Sequence, residues 1–207
     1  MNYSAIALDL DGTLLNSKKE ISKRNKETVM KAAKAGAKII LASGRPVPGI
    51  KKIAHALRLE ELGGYILAYN GGMILDCKTG EVIRRETISP DYYHTIVHTA
   101  NKHGVTPLTY DSEGIITDNA EAEYVKLEAK INNIPIKQVF HLNEVAALDP
   151  PVKFLVVGEH SKLKQVQAEL DEKLKGAVEV FFSEPFFLEI TKGAVSKVNY
   201  ITERKPI

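Results

Sequence analysis

The sequence predicts an α/β fold built on a parallel sheet, followed along the chain by a mixed α+β module, and three observations lead there. Over roughly the first 80 residues, apolar runs of strand length alternate with helical segments bounded by capping and breaking residues, the arrangement of βαβ units. The run over residues 3–10 is continuously apolar up to Asp9, the pattern of a strand buried on both faces of a parallel sheet. From Met73 the texture changes to short strands separated by turns, with helical segments between them.

Taken in order, the first strand leads into Asp9-Leu10-Asp11-Gly12-Thr13. Ser22 is placed to cap a helix ending at about Ala35, with Val29, Ala32 and Ala33 on one face and Gly36 as its terminator. Residues 38–43 form a second strand, and a helix over about 48–59 leads to a third over 65–69, closed by Asn70-Gly71-Gly72. Such connections are right-handed. Short strands over 73–76 and 81–86 flank a Lys78-Thr79-Gly80 turn. Beyond Ser89 come a helix to about His103, strands over 105–110 and 115–117, a helix over about 121–131, a strand near Gln138 and a helix near Glu144. A strand over 154–157, a helix from Ser161 to about Leu174, and a hairpin of 178–182 and 186–190 across Ser183-Glu184-Pro185 complete the module. The predicted division is a first part over 1–82, a module over 83–190 and a return to the first part over 191–207.

A chain of 207 residues with 44% hydrophobic content can bury one good core or two small ones. The net charge of +2 comes from interspersed signs, so no nucleic-acid partner is implied. Cys77 is the single cysteine, which excludes a disulfide within the chain and is compatible with a reducing cytoplasm. No apolar run reaches the roughly 18 residues of a membrane span, and the first residues lack signal-peptide character.

Asp9 and Asp11 stand where a strand meets a glycine turn, and ligands of open α/β sheets bind beyond the carboxyl ends of strands. Two carboxylates so close raise each other's pKa, which makes sense mainly with a divalent cation or a phosphoryl group between them. The plainer reading is a strand followed by an acidic, solvated turn.

Asp9-Leu10-Asp11-Gly12-Thr13-Leu14 resembles the first motif of the haloacid dehalogenase (HAD) superfamily. The second acid points to its phosphatases and phosphomutases rather than to dehalogenases or P-type ATPases. Later segments resemble the Cof-type sugar-phosphate phosphatases, and the similarity runs to about Lys197. The resemblance implies a Rossmann-like parallel-sheet core carrying an inserted α+β cap domain of the large Cof type, an open sheet with helices on one face. It also implies an aspartyl-phosphate mechanism with Asp9 as nucleophile. Asp11 would be the proton donor to the leaving group and the base for water, and its carbonyl and Asp9 would be Mg²⁺ ligands. Backbone at Leu10 and Gly12 would face the phosphate, with Gly12 permitting the close approach.

Ala42-Ser43-Gly44-Arg45 resembles the second motif, in which a hydroxyl donates to a phosphoryl oxygen, and by itself is equally an N-cap turn at Ser43. Arg45 either reaches substrate or is solvated. Asn70 reads first as a turn residue and, by resemblance, as a substrate contact. Lys192-Gly193-Ala194-Val195-Ser196-Lys197 resembles the third motif, with Lys197 offsetting charge on the nucleophile and the phosphate. Val198 stands where that motif usually has glycine. No fourth, Gly-Asp motif follows, and restoring a full core would take roughly 60 residues, about two further βα units. The chain is therefore expected to be C-terminally truncated, with an uncovered core edge open to self-association. His94, His98 and His103 read as a polar helix face, and Phe181, Phe182, Phe186 and Phe187 as hairpin core.

The expectation is a cytoplasmic Mg²⁺-dependent phosphatase acting on a small phosphorylated metabolite. The alternatives are a catalytically impaired or non-enzymatic phosphate-ligand-binding protein, because the fourth acidic motif is absent, and a phosphomutase.

Overall fold

The computed structural model describes residues 4–193 and divides them into two compact units, one ending at Arg85 and one starting at Glu86. The first unit holds a five-stranded sheet in the order β1-β2-β3-β4-β5. β1 (Ala5–Asp9), β2 (Lys38–Ala42) and β3 (Gly64–Ala68) are parallel, whereas β4 (Met73–Asp76) and β5 (Val82–Arg85) add on antiparallel. The first βα connection matches the sequence reading. The helix α1 (Lys23–Lys34) begins at Ser22, whose hydroxyl accepts from the Asn25 amide at 3.1 Å, the N-cap bond expected of serine there.

Four expectations are corrected. The strand at 3–10 is not buried on both faces: β1 lies at the edge of the described sheet, with Ala5 and Ala7 exposed and Ile6 and Leu8 half-buried. The helix expected over 48–59 is two. α2 (Val47–Ala56) stops at Leu57, Arg58 turns left-handed at φ 57°, and α3 (Leu59–Leu62) restarts the helix. The boundary expected at 82/83 would cut β5, which pairs through Arg85 with Met73 of β4. Thus the hairpin after Met73 extends the first sheet.

The second unit is a six-stranded sheet in the order β10-β11-β9-β6-β7-β8. Its strands are β6 (Thr106–Tyr110), β7 (Ile115–Thr117), β8 (Ile136–Gln138), β9 (Lys153–Val157), β10 (Val178–Glu184) and β11 (Phe187–Lys192). On one face, Phe154, Val156, Leu188 and Ile190 pack with Ile96, Val97 and Ala100 of α4 (Tyr93–Lys102), Leu142 and Ala146 of α6 (Leu142–Leu148), and Leu163, Val166 and Leu170 of α7 (His160–Lys173). The fourth correction concerns helices on a single face. The helix α5 (Glu123–Asn132) meets the opposite side, where the Tyr110 hydroxyl donates to Glu128 at 2.7 Å and Tyr124 stacks on Phe186 with centroids 5.4 Å apart. The same side carries the buried Lys153–Glu189 pair at 3.4 Å.

Two bland readings fit what is seen. Phe187 is buried and Phe182 packs against the core, although Phe186 pairs with Tyr124 outside it. His103 meets Glu169 and Gln165 of α7, and His94 stacks on His98.

Candidate active site

Three parallel strands end level with one another. The register pairs Asp9 with Ala42 and Ala42 with Leu67, so the residues that follow, Leu10 to Thr13, Ser43 to Arg45 and Tyr69 to Gly71, leave the sheet on one side. A turn gathers the first of these segments. The carbonyl of Asp9 accepts from the Leu14 amide, and that of Leu10 from Thr13 and Leu15. Gly12 takes φ +77°, a backbone state that L side chains rarely adopt, and open space surrounds the position of its missing Cβ. Leu10 itself is fully buried, so only its main chain could face a ligand.

Asp11 is the electrostatic centre. Arg45 grips it as a fork, Nε to Oδ2 at 2.8 Å and Nη2 to Oδ1 at 2.7 Å, and Lys19 Nζ donates to Oδ1 at 2.7 Å. Burial pushes the carboxyl up, but the hydrogen bonds and charges of Arg45 and then Lys19 outweigh it and hold the group at about 2, well below its ordinary 3.8. Asp11 is therefore ionised at neutral pH in this arrangement. Arg45, left open by its sequence between substrate contact and solvated side chain, is an internal partner whose side chain is only 10% exposed.

Ser43 is buried and its hydroxyl accepts from the Arg45 amide at 3.2 Å, leaving its proton available for donation. It is not a helix cap, because α2 begins after Pro46. Asn70 does take the turn role, at φ 57°, and its amide donates to the Ser43 carbonyl at 3.1 Å. Its side chain explains Gly44: a Cβ there would come within 2.9 Å of Asn70 Oδ1. The structure thus joins Asp11 to Arg45 and Ser43 to Asn70. Lys197 and the rest of the third motif lie outside the described residues.

Lys19 was not singled out by the sequence reading. Asn16 builds the turn that aims it: Asn16 Oδ1 accepts from the amides of Lys18 and Glu20, its carbonyl accepts from the Lys19 amide, and Lys19 sits at φ 61°. The Asn16-Ser17-Lys18-Lys19 string is a turn signal, but it does not tell Lys19 from Lys18.

The atoms that Asp9 and Asp11 could offer a metal are oxygens, and among the described residues no group of three or more His, Cys, Asp and Glu converges. Cations take up both carboxylate oxygens of Asp11. By the resemblance, the Asp9 carboxylate and the Asp11 main-chain oxygen are the groups that would hold a metal, and as hard oxygen ligands they suit Mg²⁺, which keeps several waters and uses one or two carboxylates plus substrate phosphate.

Parallel strands ending level, with a carboxylate gripped by cations beside a buried hydroxyl, give the layout of an α/β protein that gathers its polar groups at the carboxyl ends of its strands. The chain belongs to the haloacid dehalogenase-like hydrolases, whose family model matches residues 6–204. A haloacid dehalogenase-like hydrolase from Bacteroides thetaiotaomicron is 39% identical and superposes with a TM-score of 0.92 over 97% of this chain and 75% of that one. A Streptococcus pyogenes protein provisionally named a phosphatase is 29% identical over 97% of this chain and 74% of its own length. Pyridoxal phosphate phosphatase YbhA of Escherichia coli is 25% identical over 72% of this chain and 53% of its own. The resemblance of the Asp9 motif to HAD phosphatases of the Cof type holds. Among the described residues no helix is long and apolar enough to cross a membrane.

Proposed function

We propose that this chain is a Mg²⁺-dependent phosphatase hydrolysing small phosphate esters, sugar phosphates foremost, through an aspartyl-phosphate intermediate. The observation that carries the reading is the clamped Asp11 at the end of β1, two residues after Asp9 and joined through Arg45 to the strand end that holds Ser43.

Asp9 attacks phosphorus, the bond from phosphorus to the ester oxygen breaks, and the leaving oxygen takes a proton from Asp11. Water then attacks the phosphorus of the aspartyl phosphate, giving its proton back to Asp11 and releasing phosphate with Asp9 restored. The Ser43 hydroxyl and the main chain at Leu10, Gly12 and Gly44 donate to phosphoryl oxygens, Asn70 is a further contact, and by the resemblance Lys197 offsets charge on the nucleophile and the phosphate. Asp9 and the Asp11 carbonyl would hold Mg²⁺, which when bound neutralises charge gathering on the phosphoryl oxygens. Because Arg45 and Lys19 keep Asp11 ionised before substrate binds, the proton it gives to the leaving oxygen is one it first accepts from the monoanionic form of the incoming phosphate ester, with both cations still holding the carboxylate that relays it. By the resemblance, the six-stranded unit is the Cof-type cap, and a cytoplasmic location is expected.

Two observations favour a second reading, a phosphate-binding protein without turnover: Asp11 stands in its base form, and one carboxylate with a main-chain oxygen makes a weak metal seat. Phosphate release from a panel of sugar phosphates and pyridoxal phosphate, with Mg²⁺ and with chelator, separates the two. Release that needs Mg²⁺ and disappears in Asp9→Asn supports the phosphatase. Equal release by wild type and Asp9→Asn sinks it. Turnover confined to a sugar bisphosphate would mark a phosphomutase instead.

A further inference from the structure

We propose that Lys19 is a positioning residue for Asp11, fixing with Arg45 the orientation of the carboxylate that handles the proton; this rests on the phosphatase reading. A fork from one arginine sets the plane of a carboxylate but leaves the pair free to swing together. A second donor from a different chain segment removes that freedom. Arg45 reaches Asp11 from 34 residues away and Lys19 from eight, and both bond Oδ1 at 2.7 Å.

The two holds differ in kind. The Arg45 side chain is 10% exposed, its amide is bound to Ser43 Oγ and its carbonyl to the Tyr69 amide, so it forms a fixed wall. Lys19 is 50% exposed and stands on the short turn braced by Asn16. Its left-handed backbone is unusual for a residue other than glycine, asparagine or aspartate, and such states persist where surrounding structure enforces them. Here the Asn16 bonds enforce the state, and its product is the Lys19–Asp11 contact. Lys18, one residue earlier on the same turn, serves as the internal control.

The test compares Lys19→Gln, Lys19→Arg and Lys18→Gln with wild type by steady-state phosphate release and, in metal-free protein, by the carboxyl ¹³C resonance of Asp11. In Lys19→Gln, kcat falls about fivefold, the scale on which an exposed ion pair matters, with KM within about twofold because the lost interaction acts in the transition state. Lys19→Arg restores most of the loss, Lys18→Gln changes nothing, and the Asp11 resonance moves in Lys19→Gln alone. A risen KM with intact kcat would make Lys19 a substrate contact, and unchanged kinetics with an unmoved resonance would make it a solvated side chain; either result overturns the proposal. If wild type releases no phosphate, the phosphatase reading fails, while the Asp11 resonance still decides whether Lys19 holds the carboxylate.

Discussion

Removing the Arg45 fork from Asp11 should cost about 1 kcal/mol of folding stability, and the cost should depend on pH. The Asp11 carboxyl is held at about 2 against an ordinary 3.8, which corresponds to about 2.4 kcal/mol at about 1.4 kcal/mol per tenfold change in proton affinity. The side chain is 38% exposed, so water screens the pair and the working figure drops to about 1 kcal/mol. Arg45 makes two of the three bonds and takes the larger share. Because the folded value lies below the unfolded one, the stabilisation is fully present above about pH 4 and is lost as pH falls through about 2. A double-mutant cycle of Asp11→Asn and Arg45→Met, followed by urea denaturation, isolates the pair from the general effects of each change. A coupling energy of about 1 kcal/mol is expected at pH 6, shrinking toward zero near pH 2. Coupling indistinguishable from zero at pH 6, or undiminished in acid, would refute the assignment of the shift to this pair.

Further consequences are open to simpler assays. Gly44→Ala places a Cβ 2.9 Å from Asn70 Oδ1. The Asn70 side chain must therefore move, and phosphate release should fall by more than the loss of about 1 kcal/mol in stability explains, as paired melting and kinetic measurements would register. Lys153→Met leaves Glu189 buried without its ion-pair partner, at a cost of about 3–5 kcal/mol, and adding Glu189→Leu should recover most of it in chemical denaturation. Burial, with Asp76 and Glu60 nearby, pushes the Cys77 thiol up to about 12. Native protein should therefore resist iodoacetamide at pH 8 and react only after unfolding, with mass spectrometry as the readout.

Much was settled by local chemistry. The apolar run into Asp9, the capping Ser22 and the helix–strand alternation specify the βαβ order, because strand burial, N-cap bonds and helix stops act over a few residues. The spacing of Asp9, Asp11 and Gly12, and the Ala42-Ser43-Gly44-Arg45 turn, likewise marked the strand ends that carry the candidate site. Long-range pairing decided the rest. That β1 is the edge of the described sheet, that β5 belongs to the first unit, and that α5 crosses the second face of the six-stranded sheet all depend on partners distant in the chain. No periodicity encodes such partners. The sequence left Arg45 between a substrate ligand and a solvated side chain, and only the 2.7–2.8 Å fork made it the partner of Asp11. Lys19 and Lys18 are chemically identical neighbours. A turn held by Asn16 gives one of them a carboxylate, because a left-handed residue redirects its side chain in a way that composition cannot show.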